Sequence, residues 1–133
     1  MYNMELMIDA SVLICIILNE PEKKKVISLT EETELVSPEI ISFEIGNALS
    51  RMYKKHRLNE EQIVKSYELF ETLPLRFVKV DMAKALKLSC KYSIYAYDAY
   101  YLETAYRLKL PLLTLDVLMK NTGKHINIDI LEV

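Results

Sequence analysis

MELMIDASVLICIIL, residues 4–18, divides at one acid, Asp9. Before it, MELMI is short and apolar and ends at a polar break, the pattern of a buried strand; after it, the apolar residues follow a helical pattern. The same alternation continues outward along the chain. PEKKKVISLTE, residues 21–31, reads as an exposed helix, and ELVS, residues 34–37, as a brief strand. In SPEIISFEIGNALSRMYKK, Ser37 reads as an N-cap and Pro38 as the first helical residue, where a missing N–H costs nothing. Ile41, Ile45, Ala48, Leu49 and Met52 then share one helix face, and Asn59 opens another amphipathic helix carrying Ile63, Tyr67 and Phe70.

The remaining elements keep the rhythm. RFVKV, residues 76–80, is an expected strand, and Asp81 an expected cap for a helix bearing Met82, Leu86 and Cys90. A helix is expected from Asp98, on the spacing of Tyr101, Leu102, Ala105 and Leu108, ending at Pro111. LLTL, residues 112–115, is the next strand, followed by a short helix after Asp116 and INIDIL as a last strand. Strands alternating with helices imply an α/β fold of three layers, a mostly parallel sheet of four to five strands covered on both faces. At 133 residues the chain suits one domain, given roughly 100 to 200 residues per domain.

Composition excludes more than it selects. VLICIIL, residues 12–18, is the longest apolar run and far short of the roughly 20 residues that span a bilayer. The N-terminus lacks the basic start and cleavage site of a signal peptide. A reduced, cytoplasmic protein with structural thiols is therefore the expectation for Cys15 and Cys90. A net charge of −2 gives no global attraction to polyphosphates, so nucleic-acid contact must come from local basic patches. Two histidines without ligand spacing argue against zinc and a serine-type triad. Two glycines, Gly46 and Gly123, cannot build a phosphate-cradling loop.

In a parallel sheet, strand C-termini and helix N-termini share one edge, and ligands bind there. Asp9 and Asp116 directly follow strands, Asp98 begins a helix, and Glu44 lies in the second turn of the helix expected from Pro38. All four carboxylates thus belong to that edge, with Glu44 on the border of its helix's apolar face. Taken singly, Asp98 reads as an N-cap worth about 1 kcal/mol, and Asp9 and Asp116 as ordinary turn residues. Together they read differently, because several carboxylates cannot all ionise in a desolvated pocket without a compensating proton or cation. Mg²⁺ or Mn²⁺ is the natural partner for carboxylates and water, and such a site does phosphoryl chemistry with an ion-activated water.

MIDASVL around Asp9, FEIGNAL around Glu44, YDAYYLETA around Asp98 and LLTLD ending at Asp116 also carry a resemblance. In that order, over most of the chain, they resemble PIN-domain ribonucleases, especially the VapC-like toxins of toxin–antitoxin systems. The resemblance implies one PIN-like domain over residues 1–133 and an endoribonuclease using Mg²⁺ or Mn²⁺. It makes Asp9 and Asp98 the leading metal ligands, with Asp116 completing the site and Glu44 binding metal or orienting water. Ser11, Asn47 and Thr114 match polar positions that support the acids. It also implies a small antitoxin partner and a homodimer.

Arg51, in RMYKKHR, is the best candidate for an RNA phosphate contact, and Lys84, Lys87 and Lys91 are others, whereas KKK at residues 23–25 reads as a solvated face. Tyr97 and Tyr100 flank Asp98 and are candidate base-stacking residues; most other tyrosines read as packing. Two further classes stand beside the nuclease: a non-catalytic binding module with the same fold, and an aspartyl-phosphate enzyme using Asp9. The last fits poorly, because the residue two positions after Asp9 is Ser11 rather than a second aspartate.

Overall fold

The structure is a computed structural model that describes residues 4–133. β1 (Met4–Ile8) leads through Asp9 into α1 (Ala10–Ile17) and α2 (Lys23–Thr30), then β2 (Thr33–Pro38), α3 (Ile41–Lys54) and α4 (Glu60–Glu71). β3 (Leu75–Val78), α5 (Met82–Tyr92), α6 (Ala96–Leu108), β4 (Leu112–Leu113) and α7 (Val117–His125) complete the chain. The four strands form one parallel sheet in the order β3-β2-β1-β4. Leu6, Met7 and Ile8 are consecutive and fully buried. A strand covered on both faces needs that unbroken run rather than an alternating one, so β1 takes the interior of the sheet, with Leu6 opposite Leu35 and Ile8 opposite Leu113.

Helix α6 is the other interior element. Ala99 and the run from Tyr101 to Ala105 are all buried, including the carboxylate of Glu103. Glu103 is compensated by an ion pair to Arg107 at 2.5 Å and by the Asp81 backbone N–H at 3.1 Å. Arg107 also donates to the Lys79 carbonyl at 2.6 Å, so one buried acid ties α6 to the segment entering α5. Of the thiols, Cys15 is buried in α1 and Cys90 is exposed on α5.

Four local expectations are corrected. Ser37 and Pro38 belong to the end of β2, paired with Phe77 and Val78, and α3 starts at Ile41. A residue before proline is pushed toward extended backbone, and the Ser37 hydroxyl is buried without a partner rather than capping a helix. Tyr95, not Asp98, is the N-cap of α6, leaving Asp98 inside the first turn. LLTL pairs only at Leu112 and Leu113, because the Thr114 hydroxyl accepts the Asp116 N–H at 3.0 Å and turns the chain. INIDIL does not form a fifth strand; Ile130 makes an isolated parallel bridge to Leu112, and Asn127 turns the backbone at φ 66°. With β4 two residues long, little ladder remains for a neighbour to extend.

The glycines divide in function. A Cβ at Gly46 would meet no atom within 4 Å, so no close helix contact explains it. A Cβ at Gly123 would lie 2.7 Å from Ile130 Cδ1. Gly46→Ala should therefore raise the unfolding free energy by about 1 kcal/mol through helix propensity, while Gly123→Ala, also in a helix, should gain less because the Ile130 side chain must shift to admit the methyl. Urea denaturation of the two variants checks that order.

Candidate active site

Asp9 is the most constrained acid. It ends β1 and caps α1, with Oδ1 accepting the Val12 N–H at 3.3 Å and the Ser11 hydroxyl at 2.6 Å. Its other oxygen, Oδ2, accepts the Thr114 hydroxyl at 2.6 Å. Both hydroxyls are also acceptors, Ser11 from the Leu115 N–H at 3.0 Å and Thr114 from the Asp116 N–H at 3.0 Å. Two amides of the turn after β4 thus polarise two hydroxyls that hold one carboxylate, a chain of hydrogen bonds in which each strengthens the next. A carboxylate offers about four lone-pair sites, so these three donors leave Asp9 room for one more partner.

The other acids are held differently. Asp116 caps α7 through the Met119 N–H at 2.9 Å and stays exposed. Asp98 stands in the first turn of α6, where the helix N-terminus favours negative charge, and its carboxylate is not spent on capping. Glu44, in the first turn of α3, is half-buried, and its Oε1 has no hydrogen-bond partner. The Tyr101 hydroxyl, also buried and without a well-formed hydrogen bond, faces that carboxylate.

Asp9, Glu44, Asp98 and Asp116 all line one cleft of about 450 Å³ between α1, α3 and the N-termini of α6 and α7. Ser11 and Arg51 line it too, so Arg51, two turns beyond Glu44, reaches the cleft as its cationic wall among the described residues. Thr114 lies behind it, against Asp9. Asn47, one turn after Glu44 on α3, is exposed and outside the lining. Tyr97 and Tyr100 are outside it as well and pack edge-to-face on each other at 5.7 Å. Lys84, Lys87 and Lys91 line a separate groove.

Three further polar lining residues were not assigned to the site from the sequence, Tyr101, Glu20 and Glu22. Tyr101 carried a signal, since it lies one turn after Asp98 on the apolar side of α6. Glu20 and Glu22 carried none, because they sit in the turn between α1 and α2 and reach the cleft only through the packing of α1 on α3.

Crowding shows in the proton affinities. Burial pushes Asp9 up to about 6, against the pull of Ser11, Thr114 and Val12, and the Glu44 charge adds to the rise. Burial likewise pushes Asp98 up to about 6, helped by the charges of Asp116 and Glu44. Glu44 is raised by burial, with Tyr101 and Arg51 opposing. The acids therefore feel one another across the cleft. Their side chains do not close to ligation distance, and among the described residues no three Asp, Glu, His or Cys side chains do so.

Residues 6–124 match the PIN domain family model, and the chain belongs to that family. No curated protein matches it in sequence. Among solved structures it is similar to PAE2754 from Pyrobaculum aerophilum, at TM-score 0.73 and 20% identity, over 96% of this chain and 83% of that one. It is also similar to VapBC2 from Rickettsia felis, solved with a DNA fragment from their promoter, at TM-score 0.66 and 15% identity, over 96% and 98% of the two chains. A third is Mycobacterium tuberculosis VapC20, described as a sarcin-ricin loop cleaving toxin, at TM-score 0.63 and 9% identity, over 89% and 95%. At such identities the likeness is one of fold.

A carboxyl that holds its proton more tightly in the folded chain stabilises the fold below its unfolded pKa and loses that contribution as pH rises through the folded value. For Asp9 and Asp98 this window runs from 3.8 to about 6, and for buried Asp9 it amounts to about 3 kcal/mol. In EDTA, thermal melts should show the wild type gaining stability as pH falls from 7 toward 5. Asp98→Asn should melt higher than wild type at pH 7 and lose that advantage near pH 4.

Proposed function

We propose that the chain is a divalent-metal-dependent endoribonuclease and the toxin of a toxin–antitoxin pair, working as a single domain over residues 1–133. The observation that carries this reading is the convergence of Asp9, Glu44, Asp98 and Asp116 in one cleft, with protons held by Asp9 and Asp98 up to about pH 6. Membership of the PIN family and the fold shared with a loop-cleaving VapC20 and with VapBC2 support it.

The residues fit a hard cation. The donor set is carboxylate oxygen, as Mg²⁺ and Mn²⁺ prefer; Glu44 Oε1 is buried and unpartnered, and the acids repel one another. Asp9, Asp98 and Asp116 would hold the ion, with Glu44 as a further ligand or as the acceptor for the attacking water. When bound, the ion supplies Lewis-acid activation of water and charge neutralisation at the phosphate. Ser11 and Thr114 keep Asp9 fixed in one orientation, and Arg51 offers a guanidinium suited to bidentate contact with a substrate phosphate.

As a toxin, the chain would be cytoplasmic, held inactive by a small antitoxin and paired as a homodimer. No helix among the described residues is long and apolar enough to cross a membrane. Phe43, Tyr95 and Val117, exposed beside the acids on α3, the α6 cap and α7, supply apolar surface for such partners.

The alternative is a non-catalytic binding module, favoured by acids that line the cleft without closing to ligation distance. Incubation with a structured RNA separates the two. The nuclease cleaves with Mn²⁺ or Mg²⁺, falls silent in EDTA, and loses about a hundredfold or more in rate in Asp9→Asn and Asp98→Asn; cleavage retained by either variant would sink the assignment. Thr114→Val, which strips a donor from Asp9, should weaken Mn²⁺ binding by about 10–100-fold in calorimetry. Binding should also weaken below about pH 6, as protons on Asp9 and Asp98 compete with the metal.

A further inference from the structure

A second groove, of about 820 Å³, lies between α5, the C-terminal half of α6 and the segment after α7. It shares no lining residue with the acidic cleft. Along α6, Asp98 faces the first site and Lys109 the second, about 16 Å apart at 1.5 Å per residue. The walls are apolar, built by Leu88, Ala105, Leu110, Pro111 and Ile128, with Tyr106 as the one aromatic lining residue among those described. Around them stand Lys84, Lys87, Lys91 and Lys109, all exposed.

None of these four lysines enters an ion pair among the described residues. Lys91, in the last turn of α5, and Lys109, just past the end of α6, complement helix C-termini. Lys84 and Lys87 lie earlier in α5, outside the last turn, where no such compensation applies. The chain carries a net charge of −2, yet it gathers four lysines without ion-pair partners, beside Asp129 and the Glu103–Arg107 pair, around an apolar floor. Like charges so placed raise the free energy of the empty groove and lower that of an anionic complex.

We propose that this groove is a docking site for an acidic, apolar peptide segment of a partner protein, with leucine-type side chains on the floor and carboxylates on the lysine rim. Single-stranded RNA is the weaker match. Its bases want a series of aromatic platforms, and the groove offers one tyrosine among aliphatic walls. The Asp129 carboxylate on the wall repels phosphates and peptide carboxylates alike, but backbone N–H groups of a peptide can donate to it. This site stands apart from the nuclease reading, since a chain that cleaved no RNA would still dock the peptide.

Fluorescence anisotropy of the full chain tests it with three labelled probes: a twelve-residue peptide of alternating Leu-Glu pairs, the same peptide with serine for leucine, and a twelve-nucleotide oligouridylate. The Leu-Glu peptide should bind, and the other two should bind about tenfold or more weakly. The double charge reversal Lys84→Glu/Lys87→Glu, at exposed positions, should weaken the peptide by about tenfold, with unchanged circular dichroism. No binding of the Leu-Glu peptide, binding indifferent to the charge reversal, or equal or tighter binding of the oligouridylate would each overturn the proposal, the last by making the groove an RNA surface.

Discussion

The carboxylate of Asp9 is the point on which the functional edge turns. Strand β1 delivers it, α1 uses it as a cap, and the turn after β4 grips it through Thr114 and, by way of Ser11, Leu115. One buried side chain therefore fixes the relative position of the two strand ends that carry Asp9 and Asp116. Its burial raises its proton affinity, so the same grip that builds the edge also gives the empty cleft a preference for protons. A divalent cation, if the cleft holds one as proposed, would compete directly for that preference and so couple fold stability to ligand affinity.

Legibility in the sequence followed the range of the interactions. Asp9, Asp116 and Asp81 declared themselves because an acid between a strand pattern and a helix pattern has only local work to do, and each of them is an N-cap. The cleft was legible for the same reason, since a parallel sheet places strand ends and helix starts at one edge whatever fills the core. Asp98 was placed at the start of its helix, whereas Tyr95 is the N-cap and Asp98 stands in the first turn, lining the cleft.

What stayed hidden depends on neighbours distant in the chain. Ser37-Pro38 has the composition of a helix start, yet β1 and β3 on either side hold it extended to the end of β2. INIDIL has the composition of a strand, but its only strand partner among the described residues is two residues long. Glu20 and Glu22 reach the cleft through tertiary packing, and Asn47, although one turn from both Glu44 and Arg51 on α3, stays exposed outside its lining. Motif position alone could not separate Asn47 from Ser11, whereas a hydrogen bond to Asp9 does.

The contrast between the two cysteines has a practical side. Cys15 is sealed within α1, while Cys90 stands in the open on α5, the helix that supplies Lys84, Lys87, Leu88 and Lys91 to the second groove. The native chain thus carries one exposed thiol, on the helix that walls that groove but outside the groove's own lining. A dye coupled there would report occupancy of the groove from beside it, without any engineered residue and without touching the acids at the other site.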